Sequence, residues 1–316
     1  LNRALVAGGA GLIGSHLCER LLERGYEVIG VDTFLSSSRD NVAALIDRPG
    51  FTFLEHDVIA PLPDVGDLDE IYHLASPASP VFFESLAEEI AMVNSVGTWQ
   101  LLQHARRHNA RFLMASTSEV YGDPLEHPQR ETYFGNVNTI GPRAPYDESK
   151  RFAETLTYLA ATRYQVDARI VRIFNTYGPR MRVDDGRAVV EFIGRALRGE
   201  PLVVFGDGSQ TRSWCYVTDM ARGIHRAMTS DVEPAFPINL GNPGEMTVLE
   251  IAEMVIAIAG TRSTLEFAPL PPGDPVRRRP DIGRARELLD WEPRVTVEDG
   301  LAATVDWYRG HAGPSV

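Results

Sequence analysis

The sequence predicts an α/β fold: a doubly wound parallel sheet followed by a smaller C-terminal α/β domain. Three observations predict it. Short apolar runs alternate with segments of helical period through the first half of the chain. A glycine-rich turn joins the first run to the first helical segment. Past about residue 175 the alternation loosens and Pro and Gly become denser. Taken in order, Ala4–Ala7 and Glu27–Val31 are short apolar runs, and Leu12–Leu22 between them has helical spacing. Phe51–Leu54, Ile71–Leu74, Arg111–Met114 and Ala168–Ile173 read as further buried strands, and Glu88–Arg107 and Tyr146–Tyr164 as helices. Near-continuous apolar strands separated by helices require a parallel sheet covered on both faces. Helices are expected over Val189–Leu197, Val217–Met228, Thr247–Ile258 and Val297–Tyr308, separated by short strands and by turns such as Gly178-Pro179, Gly206-Asp207-Gly208 and Pro271-Pro272-Gly273.

Composition narrows the function classes. A chain of 316 residues suits two domains, and 44% hydrophobic with 23% charged residues excludes a largely disordered chain. No stretch approaches the ~18 uncharged apolar residues of a membrane span. A formal charge of −12 argues against sequence-independent nucleic-acid binding. It leaves an anionic small molecule open, because charges beyond a Debye length of ~8 Å are screened and local arginines decide. Two cysteines, Cys18 and Cys215, make no disulfide framework, and the chain runs straight into its first strand with no signal-like segment ahead of it; a reducing cytoplasm is expected. The eight histidines are scattered, and Asp184-Asp185 lacks a third ligand, so no metal is expected. Of 31 basic residues, 30 are Arg and one is Lys, Lys150. A lone lysine among arginines marks a place where a compact, titratable charge is required.

Gly8-Gly9-Ala10-Gly11-Leu12-Ile13-Gly14 follows the first strand and opens the first helix. Glycines at 8, 11 and 14 permit a tight turn, let backbone N–H groups approach a pyrophosphate, and let the helix pack on the sheet. This is a Rossmann-type dinucleotide turn. Asp32, closing the second strand, would accept both adenosine ribose hydroxyls and repel a 2′-phosphate, which favours NAD over NADP; Arg39 downstream reads as a solvated loop arginine. Asp57, after the third strand, can reach the adenine amine. The expected organisation is an NAD-binding domain over 1–175, with a return segment near 214–230, and a substrate domain over 176–316.

Tyr146-Asp147-Glu148-Ser149-Lys150 puts a phenol and an ammonium at i and i+4, on one helix face. A phenol is a poor base at neutral pH; a neighbouring ammonium and a nicotinamide cation both favour phenolate. With the glycine turn this pair resembles the extended branch of the short-chain dehydrogenase/reductase superfamily. Further tracts narrow the likeness: Thr117-Ser118-Glu119-Val120-Tyr121-Gly122, Asn175-Thr176-Tyr177-Gly178-Pro179-Arg180, Asp185-Gly186-Arg187, Gln210-Thr211-Arg212-Ser213, Arg278-Arg279-Pro280-Asp281 and His73-Leu74-Ala75-Ser76-Pro77. Together they resemble the UDP-glucuronic acid decarboxylase (UDP-xylose synthase) family, from about Leu5 to Tyr308.

The resemblance implies NAD as a resident cofactor, UDP-glucuronate as substrate and UDP-xylose as product. It implies catalytic roles for Thr117, Ser118, Glu119, Tyr146, Lys150 and Arg278. It implies cofactor contacts from Gly8, Gly11, Leu12, Ile13, Gly14, Asp32, Asp57, Val58, Leu74, Ser76, Tyr146 and Lys150. Asn175, Arg187 and Arg212 would bind the UDP moiety, and Arg278 the sugar and its carboxylate. By the same likeness Ser118 and Glu119 orient the carboxylate or a water, and which group protonates C5 stays open. Related 4,6-dehydratases carry Asp at the Ser118 position and 4-epimerases generally lack the Glu119 equivalent, so both residues favour decarboxylation. The family resembles homodimers built from the two helices here expected over Glu88–Arg107 and Tyr146–Tyr164; Phe152, Leu156 and Leu159 recur at helical spacing and need burial. Two positions depart from the family: the loop 33–38 lacks a usual glycine, and Met92 stands where a lysine is common. The alternatives are a decarboxylase that releases the 4-keto pentose and NADH, a nucleotide-sugar 4-epimerase, and a non-enzymatic NAD-sensing module.

Overall fold

The computed structural model describes residues 1–269 and 277–311, Arg277 by its backbone alone. The Pro271-Pro272-Gly273 turn and the Arg277 side chain, expected to be a solvated neighbour of Arg278, lie outside the described residues. The first half runs β1 (Arg3–Ala7), α1 (Leu12–Glu23), β2 (Glu27–Asp32), α2 (Asp40–Ile46), β3 (Phe51–Glu55), β4 (Glu70–His73), α3 (Ala87–Met92), α4 (Thr98–His108), β5 (Arg111–Thr117), α5 (Ala144–Tyr164) and β6 (Ala168–Ile173). Pro237–Leu240 adds a further strand beside β6. Among the described residues these strands form one seven-stranded parallel sheet, in the order Pro237–Leu240, β6, β5, β4, β1, β2, β3. The order reverses about β1 and β4, and the crevice at such a switch point is where doubly wound sheets bind ligands.

The apolar strands bury both faces. On one, α1, Val217–Thr229 and the stretch from Ile282 to Trp291 pack over Ala4, Val6, Leu113 and Val171. On the other, α4 and α5 pack over Leu5, Ile71, Phe112 and Ile170. A third core joins Ala188–Arg198, Val248–Ala259 and Val297–His311 around Val190, Ile251 and Leu301. Chain beyond residue 175 therefore returns to the sheet layer more than once: through Val217–Thr229, through Pro237–Leu240, and through Gly283–Leu289. Pro237–Leu240 falls among the short strands expected between the C-terminal helices, and its place beside β6 comes from pairing, not from a pattern in its four residues.

The helix expected over Glu88–Arg107 is interrupted. Val93–Gly97 forms a π turn between α3 and α4, an insertion that re-aims side chains and occurs often at functional sites. It buries Asn94 completely, and the Asn94 amide donates to the hydroxyls of Ser76 and Ser149, each at 3.1 Å. Behind the sheet edge, Arg172 on β6 donates to both oxygens of Glu154 on α5 (2.9 and 2.8 Å) and to the Tyr121 hydroxyl (3.0 Å). This half-buried pair fixes α5 against β5 and β6, the elements that carry the residues of chemical interest.

Candidate active site

The ends of β1 and β2 carry the glycine turn. Gly8 has φ +83°, a conformation that strains any residue with a Cβ, and a Cβ there would lie 2.7 Å from the backbone of Leu74 and Ala75. Gly14 packs closer still: its Cβ would stand 1.9 Å from the Gly8 carbonyl oxygen. Gly11 caps α1 without a side-chain bond, so the first N–H groups of the helix, those of Leu12 and Ile13 among them, are open to an anion. One Asp32 oxygen accepts the Ala10 N–H at 3.0 Å; the other accepts the Phe34 N–H and the Ser37 hydroxyl, each at 2.9 Å. A bare helix N-terminus, a cradle that a Cβ would fill and a fixed carboxylate at the strand end fit a dinucleotide.

The glycine-poor loop solves its turn differently. Phe34 takes φ +59°, a conformation costing about 1–2 kcal/mol for an L-residue. It is held there by stacking on Phe53 (5.1 Å, 28°) and by Arg39, 4.0 Å above its ring. Arg39 also pairs with Glu55 at 2.7 Å. Asp57 is exposed and accepts the Ile59 N–H at 3.0 Å. The Val58 side chain is buried in the core beneath α4, so its backbone alone can face a ligand. Leu74 is half-buried, its N–H bound to the Ala7 carbonyl at 2.8 Å.

Thr117 ends β5, and Ser118–Tyr121 continues as a single 3-10 turn that Thr117 caps by accepting the Glu119 N–H at 3.2 Å. Tyr146, in the first turn of α5, is 4% exposed and stacks on Phe83 (4.7 Å, 18°), with Thr117 the neighbour that most favours ionisation of its phenol. Lys150, one turn on, is buried and donates to the Ala115 carbonyl at 2.8 Å, with its ammonium 6.0 Å from the Tyr146 ring centre. Burial pushes Lys150 down to about 7, against Glu154. Burial pushes the Tyr146 phenol up; Thr117 and Arg187 oppose the rise, and the Glu119 and Asp147 carboxylates add to it. Burial dominates in the chain alone, where Lys150 is turned to a backbone carbonyl; the expected lowering calls on the ammonium together with a nicotinamide cation.

Glu119 lies between two guanidinium groups. Arg278 donates to one of its oxygens and Arg143 to the other. Burial raises the Glu119 carboxyl, but the two arginines outweigh burial and hold it below the ordinary carboxylate range. Arg278 is 6% exposed; it also donates to the Gly122 carbonyl at 3.2 Å, and its Nε is buried without a partner. Arg278, expected against a substrate carboxylate, here pairs with Glu119, and its Nε is the guanidinium nitrogen left without a partner. Ser118, 2% exposed, lies beside them. Arg278 reaches the site by pairing Arg277–Arg278 alongside Thr211–Arg212, with Arg278 opposite Arg212. Arg187, at the head of Ala188–Arg198, pairs with Asp185, whose carbonyl accepts the Ser79 hydroxyl. Asn175 is half-buried and its carbonyl accepts the Cys215 N–H at 2.9 Å. Met92, at the end of α3, is 39% exposed.

Thr117, Ser118, Glu119, Tyr146, Lys150 and Arg278 thus meet at the end of β5, with Arg187 near enough to act on the Tyr146 phenol. Sequence reasoning missed Arg143, Asp147 and Asn94. Asp147 sits inside the Tyr146–Lys150 motif and was legible as a buried acid had its helix face been drawn; Arg143 had no signal. Among the described residues no group of three or more His, Cys, Asp or Glu is arranged to hold a metal, and no helix is long and apolar enough to cross a membrane.

Comparisons with known proteins place this geometry. The model of the NAD dependent epimerase/dehydratase family matches residues 4–241. UDP-glucuronic acid decarboxylase 4 of Arabidopsis thaliana is 50% identical over 307 residues, covering 97% of this chain and 68% of its own length. UDP-glucuronic acid decarboxylase 1 of Danio rerio is 48% identical over 97% of this chain and 72% of its own. Among solved structures, UDP-glucuronic acid 4-epimerase from Bacillus cereus, in complex with UDP-glucuronic acid and NAD, superposes with a TM-score of 0.89 at 31% identity, covering 98% of this chain and 99% of that one.

The glycine turn yields a prediction. Gly14→Ala sets a methyl against the Gly8 carbonyl, a backbone atom that cannot swing aside. Calorimetric titration of the variant with NAD is expected to show affinity reduced at least tenfold, and unchanged affinity contradicts this account of the turn.

Proposed function

The chain belongs to the UDP-glucuronic acid decarboxylase family, within the NAD-dependent epimerases and dehydratases, and on that premise we propose how its residues turn UDP-glucuronate into UDP-xylose and carbon dioxide. The observation that carries the assignment of residues is the cluster at the end of β5, where Thr117, Tyr146 and Lys150 adjoin Glu119 and Arg278. Gly8–Gly14, Asp32, Leu74 and Ser76 would hold NAD, which when bound would supply the oxidation of the C4 hydroxyl and the matching reduction at the end of the cycle. Tyr146 Oη takes the C4 hydroxyl proton while Thr117 shares the hydrogen bond. Once C4 is a ketone the C5 carboxylate lies β to it, and carbon dioxide leaves as the ketone oxygen gains negative charge. Tyr146 Oη, now protonated, stabilises that oxygen. Lys150 orients from behind through Ala115, and its depressed basicity lets it exchange protons near neutrality. Glu119 and Arg278 hold the C5 end of the sugar, Arg278 with its unfilled Nε. Arg187, Arg212 and Asn175 take the UDP moiety; guanidinium groups suit a diphosphate.

Ser118 supports decarboxylation over 4,6-dehydration, since a serine hydroxyl is too weak an acid to expel a C6 hydroxyl. The reading includes a cytoplasmic location, which the buried, unpaired Cys18 and Cys215 support. It also includes a homodimer formed through α3, α4 and α5, which the exposure of Phe152 (50%) and Tyr158 (60%) supports. The NAD-binding domain would take in 1–175 with the return segments, and the substrate domain the remainder.

Three outcomes are expected. NMR of the sugar nucleotide formed from UDP-glucuronate shows UDP-xylose; the C4 epimer of the substrate, with no carbon dioxide, supports the 4-epimerase reading instead. Tyr146→Phe lowers turnover at least ~10²-fold, the lower end for a positioned acid–base group, with NAD still bound; near-normal turnover removes Tyr146 from this role. Light scattering at micromolar concentration gives the mass of two chains, and a single-chain mass contradicts the dimer.

A further inference from the structure

The proposed cycle leaves a 4-keto pentose and NADH together in one site, and two fates are open to them. Either hydride returns to C4 and UDP-xylose forms, or both leave the protein. One NADH then leaves for each 4-keto pentose, because the hydride taken from C4 is not returned. The outcome depends on whether the crevice keeps its contents until C4 is reduced, and none of the residues assigned above decides that.

The segment 178–187 is tied across that crevice. Asn41, in the first turn of α2, is 6% exposed. Its amide nitrogen donates to the Ala10 carbonyl at 2.9 Å and to the Arg180 carbonyl at 3.0 Å. A side-chain amide carries two hydrogens. One is spent on the glycine turn, the other on a residue 139 positions further along the chain. Arg180 takes φ +70°, a left-handed conformation that a residue with a Cβ keeps only where its surroundings fix it. Asn41 fixes its carbonyl, and Glu19 of α1 accepts from its guanidinium at 2.7 Å. Further along, the Asp185 carbonyl accepts the hydroxyl of Ser79, a residue 2% exposed. Gly186, at φ +78°, lies so close to the same stretch that a Cβ would stand 2.3 Å from Val81 Cγ1. Two residues on, Phe83 stacks on Tyr146. The segment is therefore bound at one end to the turn after β1 and at the other to the chain after β4. Those are the strands about which the sheet order reverses, so the two ties stand on either side of the crevice.

We propose, resting on the decarboxylation described above, that Asn41 is a positioning residue that decides the product: by pinning the segment 178–187 across the crevice it keeps NADH in place until C4 is reduced, and Ser79 makes the opposite tie. Asn41 acts through the Arg180 carbonyl and takes no part in the bond-making steps. Those steps are unchanged when the tie is lost. The 4-keto pentose and NADH form as before, and a larger share of both escapes before hydride returns to C4. Removing two hydrogen bonds from one buried side chain is expected to speed that escape by about tenfold or more.

The test compares the wild type, Asn41→Ala and Ser79→Ala. Each protein is first loaded with NADH and mixed with excess NAD, and the loss of protein-bound NADH fluorescence gives the dissociation rate with no substrate present. Each then turns over UDP-glucuronate with NAD in excess, and UDP-xylose, the UDP-4-keto pentose and free NADH are measured. Asn41→Ala is expected to release NADH at least tenfold faster and to raise the ratio of 4-keto pentose to UDP-xylose at least tenfold, with one NADH per 4-keto pentose. Consumption of UDP-glucuronate stays within threefold of the wild type, which a damaged fold or a damaged acid–base group would not allow. Ser79→Ala moves both readouts in the same direction, and it decides alone if Asn41→Ala does not fold. Wild-type NADH release together with a wild-type product ratio, in whichever variants fold, overturns the proposal. Absence of carbon dioxide from the wild-type reaction overturns the decarboxylase reading instead, and the NADH release rates then still support or overturn the tie by themselves.

Discussion

A buried carboxylate gripped by two guanidinium groups ties this molecule together at its point of chemistry. Glu119 belongs to the turn that ends β5, Arg143 to the residue before α5, and Arg278 to a short strand 159 positions further along the chain. A charge taken out of water is costly unless paired on every side, and removing one partner of a buried pair typically costs about 3–5 kcal/mol. The pairing holds the turn Ser118–Tyr121 in one conformation, which keeps Thr117 aimed at the Tyr146 phenol. It also fixes Arg278 against the Gly122 carbonyl and leaves one Arg278 nitrogen without a protein partner. The contact joins the end of β5, the start of α5 and the strand Arg277–Arg278.

Within this small volume four ionisable groups are driven in opposite directions. Burial raises Tyr146 and Asp147 and lowers Lys150, whereas Glu119 is buried too yet falls, because two arginines face it. Placement of the arginines sets the two carboxyls apart: Glu119 has two against it and Asp147 has Arg143 at 3.9 Å. Environments that push like groups apart are how a single fold sets acid and base roles.

Much of this was legible in the sequence. Periodicity located α1, α5 and most strands of the sheet to within about two residues, while β5 runs three residues past the expected Met114 to Thr117. The glycine turn was legible because a φ of +83° at Gly8 and backbone contact at Gly14 leave no other residue type. Three things were not. The strand Pro237–Leu240 is four residues long and is defined by its pairing with β6, not by its own pattern. The π turn at Val93–Gly97 shifts the helix register without changing its composition. The Arg278–Glu119 grip joins residues far apart in the chain, so the sequence placed both at the site without showing that they pair. Phe34 shows the converse: a missing glycine suggested a changed loop, and Phe34 itself takes a left-handed turn, stacked on Phe53 beneath Arg39.

Fold alone does not select the reaction. A UDP-glucose 4-epimerase of Thermotoga maritima and a dTDP-glucose 4,6-dehydratase of Streptomyces venezuelae superpose on this chain with TM-scores of 0.89 and 0.88, at 29% identity each. On the function proposed above, Ser118 and Glu119 at the end of β5 would carry the distinction, and the account built on them is a decarboxylation enclosed within a closed redox cycle. UDP-glucuronate deuterated at C4 tests that claim most directly. The account predicts UDP-xylose that keeps the deuterium at C4, with none passed to an added pool of NAD or to solvent. A 4-keto pentose without deuterium, or loss of the label from C4, contradicts it.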